Sequence, residues 1–303
     1  MKLGLLLPLF TGDPGRVREA AQDAEALGFD GGFAFDHLFP PWADVQRPSL
    51  EVFTTLANVA AATSRLTLGT LVARVTIRPP GMLAKQAAAI DQVSGGRFVL
   101  AVGTGDAGRD PEAATFGFAS PTAAQRRELL EETVGACRAL FRDEAWPGGE
   151  QVPAIAGPLA PPPVTPGGPP IWIGGTSPAA IRIAARIGDA WNGWGLDAEG
   201  FRRRTERLAM AAGENGRSVP PTWAGLALVG RDEDELAALR ADREERGAPG
   251  AGVWTGTSEA FSEQLREIRD AGATWAIVMA AGPADRAAVI AEAARRAGVL
   301  QAT

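Results

Sequence analysis

The sequence predicts a (β/α)8 barrel of the α/β class, the fold called a TIM barrel. Short apolar runs rich in branched residues alternate with longer segments of helical periodicity, which is typical of parallel βα units. The alternation continues to the C-terminus and gives eight units in 303 residues, a length at which one closed barrel is common. We therefore expect residues 1–303 to form a single barrel domain.

Eight segments have the composition of barrel strands. In chain order they are residues 3–9, 32–35, 66–73, 98–103, 170–173, 189–192, 222–229 and 274–279. A predicted helix follows each strand, at residues 15–28, 49–64, 81–94, 122–141, 177–188, 199–213, 232–247 and 283–298. One additional helix, residues 258–272, is predicted just before the eighth strand.

A segment rich in proline and glycine, residues 144–170, separates the fourth helix from the fifth strand. Its composition argues against a core element and leaves two interpretations, an insertion within the barrel or a linker between domains. Four βα units precede the segment and four follow it, so a division here would leave two half barrels. We therefore interpret it as an insertion within one domain.

Composition and charge argue against several classes of protein. A net charge of −6 and a pI near 5.1 argue against a nucleic-acid binder, which normally presents a basic face. No apolar run approaches the length of a membrane span, and the apolar N-terminus lacks a cleavage site and is interpreted as the first strand. The single cysteine, Cys137, excludes intramolecular disulfides and is expected to be a small buried side chain. We expect a cytoplasmic protein without a metal site.

Polar and glycine residues collect at the predicted C-terminal ends of the strands, where barrels of this kind place their active sites. In chain order the residues at these ends, with the apolar Leu71 and Val72 among them, are Asp36, His37, Thr70, Leu71, Val72, Gly103, Gly105, Asp106, Gly174, Gly175, Thr176, Asn192 and Trp194. The SGGR turn at residues 94–97 precedes a strand, so Arg97 is expected on the opposite face in a structural role.

Two of these strand ends are suited to bind a cofactor. In "IGGTSPAA" an apolar strand runs into two glycines and a helix start with Pro178 near its first position, which leaves N–H groups free to bind a phosphate. An ordinary βα turn is the alternative. "GTGDAGRD" lacks the features of a P-loop or a Rossmann fingerprint. It allows close approach by a flat ligand, or else forms a flexible loop with a solvated Asp106.

His37 is the only histidine, and its imidazole is suited to proton transfer near neutral pH. The alternative is a structural histidine. Because successive side chains at a strand end point in opposite directions, Asp36 and His37 are expected to have different partners. Tryptophans are mostly core residues, but Trp42 and Trp194 fall near the predicted active-face loops, where they would line a substrate pocket.

Four stretches of the sequence, which include the strand ends described above, resemble the luciferase-like monooxygenase superfamily. The resemblance is to its bacterial branch in particular, which depends on the deazaflavin coenzyme F420. The resemblance covers essentially the whole chain. It is carried by "LGLLLP", "ALGFDGGFAFDHLFPPW", "LTLGTLVARVTIRPPGMLAKQAAAIDQVSGGRFVLAVGTGD" and "PPIWIGGTSPAAIRIAARIGDAWNGWG".

The resemblance implies a flavin or deazaflavin ring across the C-terminal face of the barrel. It implies that Asp36 lies near the cofactor, that His37 binds substrate or donates a proton, and that Trp42 lies beside the pocket. The other implied contacts are Thr70, Leu71 and Val72 behind the ring, Gly103, Gly105 and Asp106 around it, and Gly174, Gly175 and Thr176 at the phosphate.

The resemblance also implies a non-prolyl cis peptide bond between Leu71 and Val72, at a bulge in the third strand. This sequence departs from the family pattern at two places. Relatives often have a small residue where Leu71 stands, and some have glutamate where Asp106 stands. His37 and Asp106 are the candidate catalytic residues.

The function implied by the resemblance is hydride transfer between coenzyme F420 and a small organic substrate. An FMN-dependent monooxygenase, supplied with reduced flavin by a separate reductase, is the first alternative. A cofactor-binding barrel without catalytic activity is the second. The sequence leaves the oligomeric state open, and a homodimer is one alternative because members of the family commonly dimerise.

Overall fold

The computed structural model describes residues 1–40, 47–105, 111–248 and 252–301. Within them the strands are β1 (Lys2–Leu6), β2 (Gly31–Ala34), β3 (Thr67–Thr70), β4 (Ala73–Arg74), β5 (Phe98–Gly103), β6 (Ile171–Gly174), β7 (Ala190–Trp194), β8 (Pro221–Gly230), β9 (Val253–Thr257) and β10 (Trp275–Ala280). The helices are α1 (Pro14–Ala26), α2 (Val52–Ala62), α3 (Pro80–Ser94), α4 (Pro111–Phe116), α5 (Ala123–Phe141), α6 (Pro178–Ile187), α7 (Ala198–Glu214), α8 (Glu233–Glu245), α9 (Ser258–Asp270) and α10 (Arg286–Arg296).

A closed parallel barrel is formed by strands that pair in the order β1, β2, β3, β5, β6, β7, β8 and β10. The first and last of these strands close the sheet, with Leu3 opposite Ala276. The predicted (β/α)8 barrel is therefore confirmed. In the described part of the chain, no helix is both long enough and apolar enough to span a membrane.

Aromatic side chains fill the barrel interior. The ring of Phe33 stacks on Trp172 with centroids 5.6 Å apart and meets the edge of Trp275 at 5.4 Å. A Cβ on Gly69 would lie only 2.7 Å from the Phe33 ring, so glycine is required there for the ring to fit. Phe33, Trp172 and Trp275 lie in the first half or the middle of their strands. Their rings therefore close the barrel interior below the C-terminal ends of the strands.

A second, larger core lies between the barrel and the helices around it. Cys137 of α5 belongs to this core, where burial raises the pKa of its thiol to about 12. The prediction of a small buried cysteine is confirmed.

The predicted third strand is interrupted. Residues 66–73 form β3 and β4 rather than one strand, and the peptide bond between Leu71 and Val72 at the interruption is cis, as the family resemblance implied. After the interruption the chain pairs with β5 again, where Ala73 lies opposite Val102.

The insertion at residues 144–170 is fixed to the outside of the barrel. The fully buried carboxylate of Asp91 in α3 accepts hydrogen bonds from the N–H and hydroxyl groups of Thr165, at 2.8 and 2.9 Å. Glu132 of α5 accepts from the N–H groups of residues 150–152, at 2.7 to 2.9 Å. The insertion therefore packs on the two helices that flank it in space.

Two elements were not predicted from the sequence, α4 and β9. Strand β9 pairs with the second half of the long strand β8, where Leu226 lies opposite Val253, while β7 pairs with the first half. The predicted helix before the last barrel strand is confirmed as α9. Arg97 lies on the opposite face, as expected, and its guanidinium donates to the carbonyl oxygens of Ala60, Thr63, Leu66 and Ser94 at 2.7 to 3.0 Å.

Candidate active site

A cavity of about 370 Å³ opens at the C-terminal ends of β2 to β7, within the size range of small-molecule sites. Its lining residues are Phe35, Asp36, His37, Leu71, Val72, Arg74, Gly103, Thr104, Gly105, Gly174, Gly175, Thr176, Asn192 and Trp194. Another concavity, of about 410 Å³, lies among α5, α6 and α7 on the outside of the barrel, away from the strand ends.

The cavity brings together most of the residues that the sequence placed at the active face. Of the predicted site residues, Thr70 is fully buried and is not part of the lining, because its hydroxyl donates to the carbonyl oxygen of Ala101 at 2.6 Å. A cofactor contact for Thr70 stays a prediction. Trp42 and Asp106 lie outside the described residues.

Val72 forms part of the cavity floor, and its two methyl groups require glycine at two neighbouring positions. A Cβ on Gly103 would lie 2.6 Å from a methyl group of Val72, and a Cβ on Gly174 would lie 2.7 Å from the other. Both positions therefore need glycine for packing alone. The contact of these glycines with a ligand stays a prediction, and the structure adds that they make room for Val72.

The turn between β6 and α6 has the features of an anion site. The Ser177 hydroxyl accepts from the N–H of Ala180 at 3.2 Å as the N-cap of α6, and Pro178 begins the helix. The Nε1–H of Trp191 donates to the carbonyl oxygen of Gly175 at 2.7 Å and fixes the turn from β7. The first N–H groups of a helix have no intrahelical acceptor and form its positive end. This turn can therefore bind a phosphate.

The carboxylate of Asp36 is held by two arginines. Its two carboxylate oxygens accept from the Arg78 guanidinium at 2.6 and 2.9 Å, and one of them also accepts from the N–H of Arg74 at 2.9 Å. Arg78 donates its third hydrogen bond to Glu51 at 2.7 Å. Burial lowers the pKa of Arg78, but the hydrogen bonds that it donates to Asp36 and Glu51 outweigh this effect and raise the pKa. A direct cofactor contact for Asp36 stays a prediction.

His37 has a different partner, as predicted. Its Nδ1 lies 3.0 Å from Oε1 of Glu112, and the N–H of Leu38 donates to the same oxygen at 3.2 Å. The other oxygen of Glu112 forms an ion pair with the guanidinium of Arg74. Sequence reasoning missed Glu112, because its contact with His37 joins residues 75 positions apart and α4 was not predicted.

Aromatic side chains form one wall of the site. The Phe35 ring lies 5.1 Å from Trp194, 5.9 Å from His37 and 6.0 Å from Phe10, measured between centroids. Trp194 remains 37% exposed, so its indole can contact a ligand in the cavity. In the described part of the chain, no group of three or more His, Cys, Asp or Glu side chains converges as in a metal site.

Residues 1–299 match the family model described as luciferase-like monooxygenase. The chain belongs to the luciferase-like monooxygenase family. One family relative, named F420-dependent glucose-6-phosphate dehydrogenase, from Beutenbergia cavernae, is 30% identical over 227 residues, which cover 73% of this chain and 65% of that protein. Another, named F420-dependent hydroxymycolic acid dehydrogenase, from Mycobacterium tuberculosis, is 32% identical over 239 residues, which cover 75% of this chain and 62% of that protein.

The chain thus spans less than two thirds of the length of each of these two relatives. A solved structure of an F420-dependent secondary alcohol dehydrogenase with an F420–acetone adduct superposes with a TM-score of 0.84. The superposition covers 98% of both chains at 18% sequence identity. At this identity the similarity shows that the two proteins share the barrel fold.

Proposed function

We propose that the protein is an oxidoreductase that transfers a hydride between coenzyme F420 and a small, uncharged organic substrate. The observation that carries this proposal is the cavity at the strand ends, where His37, the apolar side chains of Leu71 and Val72 and the turn before α6 face the same space. The names of the two relatives described above, both F420-dependent dehydrogenases, support the choice of cofactor.

The residues of the cavity fit a flat ring system that carries a phosphate group. Leu71 and Val72 present an apolar floor against which a ring can lie, and the turn at Gly175 and Thr176 can bind the phosphate. When bound, coenzyme F420 supplies a ring carbon that accepts or donates hydride.

The protein's own residues then orient the substrate and move one proton. Phe35 and Trp194 exclude water from one side of the cavity, and His37 exchanges the proton with the substrate oxygen. We propose Asp106 as a second catalytic residue and Trp42 as a wall of the substrate pocket, as the family resemblance implies.

The charges around the cavity favour an uncharged substrate. Among the described residues that line it, the cationic side chain is Arg74, which pairs with Glu112. Arg78 is engaged by Asp36 and Glu51. Lys2 lies 5.2 Å from the ring of Trp275 at the start of β10, and Lys85 donates to the insertion. We therefore propose an alcohol or ketone as the substrate rather than a sugar phosphate.

Anaerobic turnover tests this function. The protein is mixed with oxidised coenzyme F420 and either short secondary alcohols or glucose 6-phosphate, and loss of the oxidised coenzyme's absorbance is followed. We expect reduction with one or more of the alcohols and at least tenfold slower reduction with the sugar phosphate. Faster reduction with the sugar phosphate would contradict the substrate class, and oxygen consumption with reduced FMN would favour the monooxygenase.

Two further proposals concern the whole chain. We propose that residues 1–303 are one domain, because the first strand pairs with the last. We also propose, from the net charge of −6 and the lack of a long apolar run, that the protein acts in the cytoplasm on a small molecule, without nucleic acid or membrane as a partner.

A further inference from the structure

We infer that Glu112 is a positioning residue that fixes the proton of neutral His37 on Nδ1, so that Nε2 is the nitrogen that accepts the substrate's proton. The catalytic consequence rests on the proposed function. The state of the histidine ring does not, and it can be measured on the protein without coenzyme.

Glu112 is a buried carboxylate, with its side chain only 3% exposed, and it is surrounded by donors. The N–H of Leu38 donates to Oε1 at 3.2 Å, and the guanidinium of Arg74 pairs with Oε2. A backbone N–H and an arginine can only donate, so both require a carboxylate that accepts. The ion pair with Arg74 keeps Glu112 ionised.

An ionised carboxylate has no proton to give to the imidazole ring. Because Nδ1 of His37 lies 3.0 Å from Oε1, the hydrogen bond between them requires the proton on Nδ1. In the neutral ring, Nε2 then carries a lone pair. Glu112 thus selects one of the two tautomers of His37.

The surroundings hold this arrangement in place from several elements. The Ser49 hydroxyl donates to the carbonyl oxygen of His37 at 2.6 Å. Arg74 is held in turn by Asp36, which accepts from the Arg74 N–H at 2.9 Å and, through its carbonyl oxygen, from Nε at 3.0 Å. Asp36 therefore supports His37 indirectly, through Arg74 and Glu112.

The chemistry follows from this tautomer. As an alcohol is oxidised, its O–H bond breaks and the proton goes to Nε2, while the carbon gives up a hydride to the coenzyme and a C=O bond forms. The ring becomes an imidazolium whose Nδ1–H still donates to Glu112, so the new positive charge lies beside a negative one. Ketone reduction runs the same transfers in reverse. Other described neighbours of the ring are the uncharged Phe10 and Phe35, and Asp36 is turned towards Arg78.

Nuclear magnetic resonance of the histidine nitrogens tests the inference directly. Since His37 is the only histidine, protein labelled with ¹⁵N-histidine reports this one ring. We expect the neutral ring of the coenzyme-free wild type to carry its proton on Nδ1. A ring with the proton mainly on Nε2 would overturn the inference, and this measurement requires no variant to fold.

The titration of the ring provides a second test. Glu112→Gln removes the negative charge beside Nδ1 and leaves Arg74 facing the ring, so the midpoint of the ring's titration should fall by about one pH unit. Glu112→Asp keeps the charge and should restore the wild-type midpoint to within a few tenths of a unit. Glu199→Gln on α7, where the glutamate side chain is 78% exposed, is the matched control and should leave the midpoint unchanged.

An unchanged midpoint in Glu112→Gln would overturn the inference. With substrate and coenzyme present, the acid limb of the kcat/KM profile should move with the same midpoint. If coenzyme F420 does not bind but the proton lies on Nδ1, the proposed function fails and the positioning role of Glu112 stands. If the coenzyme binds and turns over but the proton lies on Nε2, the proposed function stands and the positioning role of Glu112 fails.

Discussion

His37 lies where a cavity, an aromatic wall and a buried carboxylate meet, so its replacement separates binding from chemistry. His37→Ala removes the proton acceptor but leaves Val72 and the turn at Gly175, which we expect to hold the coenzyme. Turnover should fall by about 10²- to 10⁴-fold, while the coenzyme dissociation constant changes by less than about threefold. Steady-state kinetics and coenzyme titration of the same preparation measure both.

Trp254→Phe serves as the control for that experiment, because Trp254 packs on Phe261 and lies outside the cavity lining. Its turnover should match the wild type. If His37→Ala turned over as fast as wild type, His37 would be a structural residue and the proposed chemistry would need another proton acceptor.

Individual residues differ in how far the sequence could predict their role. Gly174 and Trp194 were found because each lies at the C-terminal end of an identifiable strand, and the fold fixes what such positions face. Glu112 could not be found, because its contact with His37 depends on a six-residue helix and on the path of the chain between them. The contact between Asp36 and Arg78 could not be predicted either, because the two residues are 42 positions apart in the sequence.

At the scale of elements, a charged cluster fixes the start of α10. Arg286, the first residue of this helix, donates to the carbonyl oxygen of Val229 in β8 at 3.1 Å and to Glu235 of α8 at 2.9 Å. It also donates to Asp285 at 2.6 Å. These hydrogen bonds from Arg286, together with those from Arg231, lower the pKa of both Glu235 and Asp285 to about 2.

This cluster predicts a pH dependence of stability. The ordinary pKa values of Glu235 and Asp285 are 4.5 and 3.8, so their stabilisation is complete above those values and is lost as pH falls towards 2. The side chains of Glu235 and Asp285 are partly exposed, so the effect is modest. We expect Arg286→Met to reduce the loss of unfolding free energy between pH 6 and pH 3 by on the order of 1 kcal/mol, or about 2 °C in unfolding temperature. Thermal unfolding at pH 6 and pH 3 measures the difference.

The matched control is Arg266→Met, since Arg266 is more exposed and pairs with Glu263 within its own helix. Its unfolding temperature should fall between pH 6 and pH 3 by as much as that of the wild type. If the unfolding temperature of Arg286→Met fell between pH 6 and pH 3 by as much as that of the wild type, the cluster would not cause the pH dependence of stability.

The elements show where sequence patterns suffice and where they do not. Helix α6 was predictable because Ser177 and Pro178 give it a clear start and its apolar face repeats regularly. Strand β9 was not, because its five residues, which include Gly256, are stabilised by pairing with the overhanging half of β8, which only the folded barrel provides. The insertion was identified by composition, but its attachment through Asp91 and Thr165 depends on packing.

At the scale of the whole molecule, the barrel separates stability from function. Phe33, Trp172 and Trp275 close the interior below the strand ends, and Arg97 ties the opposite face together. The remaining open face carries the cavity. Counting βα units was enough to predict this architecture, because eight parallel units with helices outside have one common way to bury both faces of the sheet.

The central claim is that this cavity binds coenzyme F420, and a parallel titration of the purified protein with coenzyme F420 and with FMN tests it most directly. The fluorescence of each cofactor is followed as protein is added, for the wild type and for His37→Ala. We predict saturable binding of coenzyme F420 to both proteins, at least tenfold tighter than binding of FMN. Tighter binding of FMN, or no saturable binding of coenzyme F420, would contradict the account.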